Sequence, residues 1–166
     1  MEKINKKIKE ELFSTNTETV NSAISAVRQK GNKHYLPILF DLLNSNPEQE
    51  IKDEITKLLA TVKDKESIPS FIQAIENKKY QPILKSILTA CWQNGLDFSN
   101  HLLLFVDLVI DENWEIAFEA FTIIDNFEFM PEQKIIDKTS RKISAALKTA
   151  NEQKAYFLQE ILTKIS

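Results

Sequence analysis

Residues able to carry out nucleophilic, acid–base or metal chemistry are few in this chain and widely spaced. The two histidines, His34 and His101, lie 67 positions apart, and neither belongs to a His-x-x-x-His or Cys-x-x-Cys pair. The only cysteine, Cys91, falls on an apolar helical stripe, which favours an inert buried thiol over a nucleophile. Glu115 and Glu119 share a helix face, a pattern common on solvated helices. The sequence therefore predicts a protein that is not an enzyme and that holds no metal or cofactor.

Composition sets the class of protein. The two glycines lie 64 positions apart, so they cannot form a glycine-rich phosphate loop. A single cysteine excludes an internal disulfide framework and suits a reducing compartment. No apolar run has the length of a signal peptide or approaches the roughly 20 residues of a membrane span. We therefore expect a soluble, cytoplasmic protein of one domain, and its 166 residues are enough to bury a core.

Charge is distributed unevenly along the chain. The segment 86–133 contains no Lys or Arg, whereas the segment before it has a net charge of +2 and the segment after it +4. Its nine acidic residues are Asp97, Asp107, Asp111, Glu112, Glu115, Glu119, Asp125, Glu128 and Glu132. A surface that bears these acids would favour a basic partner and disfavour nucleic acid.

The acidic segment also holds eight of the fifteen aromatic residues. Helical spacing places Phe105 and Phe121 in the core, whereas Phe118 falls on a face that we expect to be partly exposed. Trp114 begins the same helix. Exposed aromatics within a carboxylate rim are typical of protein-binding anchors. One hypothesis is a surface for a basic or amphipathic protein partner; at its centre lie Trp114, Glu115, Phe118 and Glu119. The alternative is that the aromatics are core residues and that the basic flanks balance a solvated acidic face.

The elements that would position these residues repeat a pattern that is clearest from Lys33 to Val62. Apolar residues recur there every three to four positions on either side of a polar corner, which predicts two amphipathic helices. At the corner, Asn46 has the side chain of an N-cap and Pro47 suits the first helical position. Offsets of 32 and then 34 residues bring the same pattern back twice. Helical hairpins repeating at this period are the signature of an α-solenoid.

The chain resembles HEAT-like repeat proteins through a few of these residues. Leu36-Pro37 and Ile68-Pro69 stand in first helices, and Asn46-Pro47…Ile51-Lys52 is similar to the Asp-Pro-x-x-Val-Arg corner of the family. The resemblance covers roughly 32–126. It implies an all-α fold, a right-handed stack of antiparallel helix pairs whose concave surface is lined by second helices.

The chain is thus expected to form ten helices in five pairs. An N-terminal capping pair spans 1–31, with a first helix from Glu2 to Phe13, three clear repeats span 32–127, and a C-terminal capping pair spans 131–166. Gly31 and Gly95 each follow a helical run and suit left-handed C-terminal caps. An irregular helical bundle with accidental self-similarity is the alternative.

Equivalent positions of the second helices predict two surface rows. Lys52, Leu84 and Phe118 would form an exposed, partly apolar stripe. Beside them, Asp53, Lys85 and Glu119 alternate in sign and would form a ladder between repeats. The predicted partner-binding residues are Lys85, Trp92, Trp114, Glu115, Phe118 and Glu119.

Three functions remain open at this point. The first is a non-enzymatic scaffold that holds a segment of a protein partner on the solenoid surface. The second is a nucleic-acid enzyme resembling HEAT-like DNA glycosylases, with Trp114 and Asp125 as pocket residues. Such enzymes need a cationic groove, and the segment without a cation argues against one. The third resembles HEAT-like lyases that attach bilins, for which no motif is found. The sequence identifies neither the partner nor the oligomeric state.

Overall fold

A computed structural model describes residues 4–166 as an all-α chain in which those residues form ten helices and no strand. The chain divides into two compact units, the first ending at Asn94 and the second spanning Gly95–Ser166. The helices of the first unit are α1 (Lys6–Leu12), α2 (Thr17–Lys30), α3 (Leu36–Asn44), α4 (Gln49–Ala60), α5 (Ile68–Glu76) and α6 (Leu84–Asn94). Those of the second are α7 (Leu102–Asp111), α8 (Trp114–Asp125), α9 (Gln133–Ala146) and α10 (Glu152–Ile165).

The number of helices predicted from periodicity is therefore confirmed for the described part of the chain. The predicted start of the first helix, at Glu2, lies outside the described residues. Asparagine side chains cap several N-termini: Asn16, Asn113 and Asn151 accept backbone amides of α2, α8 and α10. No helix among residues 4–166 combines the length and the apolar character needed to cross a membrane.

Helices of the first unit pack on their next-but-one neighbours as well as on adjacent ones. Helix α4 packs against both α2 and α6, and α3 packs against α5. Phe40 of α3 meets Phe71 of α5 edge to face, with ring centroids 5.6 Å apart, and Tyr80 lies against the same Phe40 ring at 5.9 Å. These large side chains are almost completely buried and form the centre of the first unit.

A row of polar contacts joins α2 to the start of α4 at the surface of the first unit. The Thr17 hydroxyl donates to Glu48, the Asn21 amide donates to Glu50 at 2.7 Å, and Arg28 contacts the Glu54 carboxylate at 3.3 Å. Asp53, which was predicted to form a ladder with the next repeat, accepts a hydrogen bond from Gln49 within its own helix. The row between these two helices was not predicted from the sequence.

The corner between α3 and α4 differs from the sequence prediction. Asn46 adopts a left-handed conformation with φ 58°, and its side-chain oxygen accepts a hydrogen bond from the Lys52 ammonium at 2.6 Å instead of capping the helix. Helix α4 begins at Gln49 with Glu48 at the N-cap position, so Pro47 precedes the helix. The prediction that Asn46 is an N-cap and Pro47 the first helical residue is wrong by about half a turn, since the left-handed residue extends the corner.

The two glycines serve different purposes. Gly95 has φ 70°, which confirms the predicted left-handed conformation after α6. Gly31 has φ −71° and ψ 156°, so the same prediction is wrong at that position. The Gly31 backbone lies so close to α2 that an added Cβ would be 2.0 Å from the Val27 carbonyl oxygen. A glycine is therefore needed at position 31 because there is no room for a Cβ, and not because the residue has a positive φ.

The second unit consists of two helix pairs. Helix α7 packs on α8 and α9, and α10 packs on α8 and α9. Phe98 and Phe105 meet edge to face at 6.0 Å in the core of this unit. Helices α8 and α10 run parallel, because Trp114 and Gln153 at their N-terminal turns line one groove and Lys164 near the end of α10 donates to the Asp125 carbonyl at the end of α8.

Candidate protein-binding groove

An aromatic groove between the N-terminal halves of α8 and α10 is the most distinctive surface of the second unit. It encloses about 360 Å³ and is lined by Trp114, Phe118, Glu152, Gln153, Tyr156 and Phe157. We refer to these six residues as the aromatic groove.

The wall of the groove on α8 consists of Trp114 and Phe118. They lie one helical turn apart, and their rings stack with centroids 5.4 Å apart and an interplanar angle of 17°. Trp114 remains 50% exposed and Phe118 42% exposed. The Asn113 side chain caps this helix by accepting the Ile116 amide at 3.1 Å, which fixes the first turn that carries Trp114.

The floor and the opposite wall come from α10. The Phe157 ring is buried, stacks on Phe121 at 4.8 Å and lies 6.2 Å from Phe118. Tyr156, the preceding residue, points to the other side of the floor and is 59% exposed. Asn151 caps α10 by accepting the Lys154 amide at 2.9 Å. The groove thus has a firmly packed base and two exposed aromatic walls.

The one charged residue that lines the groove is acidic. Glu152 lines it directly, and the exposed Glu115 follows Trp114 on α8. Each of the two N-terminal turns carries a helix-dipole charge of about +0.5, which a single carboxylate outweighs. The groove therefore presents apolar aromatic surface next to the Glu152 carboxylate.

Three lysines of the last two helices contact α7 and the end of α8 instead. The Lys142 ammonium pairs with Asp107, and the Lys154 ammonium donates to the Ile110 carbonyl oxygen. Lys164 donates to the Asp125 carbonyl oxygen at 2.7 Å. Basic side chains thus balance part of the acidic segment inside the second unit, as the alternative hypothesis expects. The residues that these three lysines contact do not belong to the groove.

Two residues that were predicted to lie at the surface are buried, while the partner-binding role predicted for Glu119 stays a prediction. Glu119 is only 9% exposed, because it follows Ile116 by three residues and precedes Ile123 by four on the buried face of α8. Leu84, the middle member of the predicted exposed stripe, is 2% exposed for the same kind of reason: it stands three and seven residues before the buried Ile87 and Cys91. Neither residue lies on an accessible surface.

The remaining predicted binding residues, Lys85 and Trp92, lie on α6 of the first unit. Trp92 is partly buried, whereas Lys85 is exposed and lines a polar groove of about 420 Å³ between α4 and α6, together with Lys57 and Gln93. The partner-binding role of these two residues stays a prediction. Trp114, Phe118 and Glu115 come together on α8, and their partner-binding role stays a prediction.

The reactive groups considered from the sequence occupy separate places. Cys91 is fully buried, and this burial raises the pKa of its thiol far above the usual range. His34 is exposed and His101 partly exposed. Among residues 4–166, no group of three or more His, Cys, Asp or Glu side chains is placed to hold a metal ion.

Sequence reasoning missed the contribution of α10. Tyr156 neighbours the buried Phe157 and is exposed, with Glu152 one turn before it. The spacing of the buried Phe157, Ile161 and Ile165 would have placed Tyr156 off the core face. What the sequence could not supply is the pairing of α10 with α8.

The chain matches no protein-family model and no curated protein.

Proposed function

We propose that this protein is a non-enzymatic scaffold of the HEAT-like solenoid kind that binds a segment of a protein partner. The packing within each unit supports the solenoid. Helix α4 lies between α2 and α6, while α9 packs on α7 and α10 on α8. Contact between equivalent helices of successive pairs is how helical repeats bury an apolar stripe that one hairpin cannot bury alone.

The observation that carries the binding function is the exposure of Trp114, Phe118 and Tyr156 around one groove. Removing aromatic surface from water is favourable, so large exposed aromatics are left available for a partner to cover. Single exposed apolar residues are common, but three large ones around one concave surface are typical of a binding site. Tryptophan and tyrosine are also the residue types most enriched among the energetically dominant contacts of interfaces.

The chemistry of the groove indicates its partner. An apolar side chain of the partner would pack on the Phe118 and Phe157 rings, and a positive charge nearby would be attracted by Glu115 and Glu152. An amphipathic segment with a basic face combines both properties. The proposed function is therefore recognition of such a segment on the second unit.

The test is a pull-down from lysate of the source cell, read by mass spectrometry, that compares the wild type with a Trp114→Ser/Tyr156→Ser variant. We expect the wild type to retain proteins that the variant loses. The matched control is Phe13→Ser, which removes an aromatic of similar exposure, 49%, from the end of α1 in the first unit. Identical protein sets for all three would contradict the proposal. Tight, salt-dependent binding of duplex DNA would favour the glycosylase alternative.

The groove variant should remain folded, which makes its result interpretable. Trp114 and Tyr156 are half or more exposed, and loss of the stacked Trp114–Phe118 pair should cost about 1 kcal/mol of unfolding free energy. A Phe105→Ala variant removes a fully buried ring and should cost about 3–5 kcal/mol. Urea unfolding followed by circular dichroism separates the two classes.

A further inference from the structure

We propose that the aromatic groove recognises an arginine side chain of its partner, flanked by apolar side chains that pack on Phe118 and Phe157. This inference rests on the proposed function, since it names the chemistry that the same groove selects. Three observations carry it: the aromatic walls, the placement of the carboxylates, and the direction of the lysines around them.

The walls offer a flat aromatic surface next to a buried floor. The Trp114 ring is supported on one side by Phe118 at 5.4 Å, which leaves half of its surface exposed, and Tyr156 is exposed on the other wall. A guanidinium group is planar, weakly hydrated and stacks on indole and phenol faces. A lysine ammonium is a compact and strongly hydrated charge that gains less from such a surface.

The carboxylate of Glu152 supplies the second half of the recognition. It lines the groove one turn before Tyr156, so a guanidinium lying on the aromatic wall can also donate to it. Within residues 4–166, the Glu152 carboxylate makes no ion pair of its own. The nearest lysine in sequence, Lys154, donates to the Ile110 carbonyl oxygen, so α10 does not neutralise this position from within.

Two other occupants fit less well. A second copy of this chain could offer its exposed Phe129 and Met130 from the segment between α8 and α9, but Glu128 and Glu132 flank them and would meet the acidic rim. An anionic lipid surface would be repelled by Glu152 in the same way. Charge therefore selects a cationic segment from a different protein.

The experiment uses the full-length protein and synthetic helical peptides. Each peptide is acetylated, amidated and 14 residues long, with two leucines on one face and a single variable residue between them: arginine, lysine, citrulline or glutamate. Citrulline keeps the planar shape of arginine and removes its charge. Binding is followed by the indole N–H signals in heteronuclear NMR; the chain has two tryptophans, so a Trp114→Phe variant assigns both signals.

We expect the arginine peptide to shift the Trp114 signal and to bind about tenfold more tightly than the citrulline peptide, since the stacking and ion-pair contributions both depend on the charge. The affinity for the lysine peptide should lie between those for the arginine and citrulline peptides. A Glu152→Gln substitution should weaken binding of the arginine peptide several-fold and leave the affinity for the citrulline peptide unchanged. The control variant Glu76→Gln, which alters an exposed carboxylate at the end of α5, should change neither.

Equal affinities for the arginine and citrulline peptides, with a shift of the Trp114 signal, would overturn the arginine inference while leaving a binding groove in place. No Trp114 shift with any peptide at millimolar concentration would also overturn it. Concentration-dependent self-association that is lost on Trp114→Ser, or binding of vesicles that contain phosphatidylserine, would replace it with one of the other occupants. The pull-down with the Trp114→Ser/Tyr156→Ser variant tests the proposed function independently of these results.

Discussion

At the scale of single residues, the different structural requirements for the two glycines can be distinguished by experiment. Gly95→Ala should lose about 1 kcal/mol of unfolding free energy, because a Cβ is disfavoured at φ 70°. Gly31→Ala should lose about 2 kcal/mol or more, because its Cβ would collide with the Val27 carbonyl oxygen and the backbone would have to move. Asparagine tolerates the left-handed conformation, so Gly95→Asn should recover much of the loss whereas Gly31→Asn should not. Urea unfolding of the four variants measures this; recovery at both positions would contradict the close approach at Gly31.

The same residues show what a sequence can establish at this scale. A glycine after a helical run predicts a left-handed cap, which is correct at Gly95. At Gly31 the requirement comes from the distance between two backbone segments, and no local pattern records that distance. The prediction of side-chain exposure from sequence has a similar limit. Phe118 and Glu119 are neighbours separated by about 100° around α8, so the face of each depends on where the helix packs.

At the scale of elements, α3 is joined to the turn before α6 by a network that should respond to pH. The Tyr80 hydroxyl donates to Asp41 at 2.6 Å, and the Lys79 ammonium lies 2.7 Å from the same carboxylate oxygen. Partial burial raises the pKa of Asp41, but the hydrogen bonds from Lys79 and Tyr80 outweigh it, so the pKa lies below its ordinary value. A lowered folded-state pKa gives stability that is present above the unfolded-state pKa of about 4 and is lost as pH falls through the folded-state value.

We therefore expect an Asp41→Asn variant to be less stable than the wild type at pH 7 and the difference to shrink below about pH 4. Asp41 and Lys79 are both more than a third exposed, so solvent screening should keep the effect of the pair within about 1 kcal/mol. Unfolding free energies at pH 3, 5 and 7 measure it, with Glu76→Gln as a control for a general change in net charge. A difference that is constant across this range would show that Asp41 acts only through packing.

The helices were the best predicted feature of this molecule, whereas the short 3₁₀ turns before them were not predicted. Apolar spacing located all ten α-helices of residues 4–166, because each helix buries a single stripe. Short 3₁₀ turns precede α3, α5, α6 and α7, and the longest, Lys78–Ile83, includes Pro82. Such turns tighten the chain at a helix entry and leave no periodic signal. Only the α8 side of the aromatic groove could be predicted from the sequence, because Trp114 and Phe118 share one helix. Tyr156 comes from a helix some forty positions away, and no local pattern shows that the two helices are neighbours.

At the scale of the whole molecule, the packing of helices on near neighbours predicts how unfolding spreads. Most contacts within a unit join each helix to those one or two positions away in the chain, with α10 on α7 as an exception inside the second unit, so a local loss of stability should stay within its unit, as in proteins built from stacked repeats. Ile161→Ala in α10 removes part of a side chain that is 1% exposed and should cost about 2–5 kcal/mol. Hydrogen exchange read by mass spectrometry should then show faster exchange within residues 95–166 and little change before Asn94.

The reciprocal variant makes this prediction decisive. Ile55→Ala in α4 removes an equally buried side chain from the first unit, so it should accelerate exchange before Asn94 and leave α8 and α10 protected. A chain that unfolds in a single cooperative step would instead show both units accelerated by both variants. That result would also weaken the proposed solenoid, because stacked repeats distribute stability over neighbour contacts rather than over one common core.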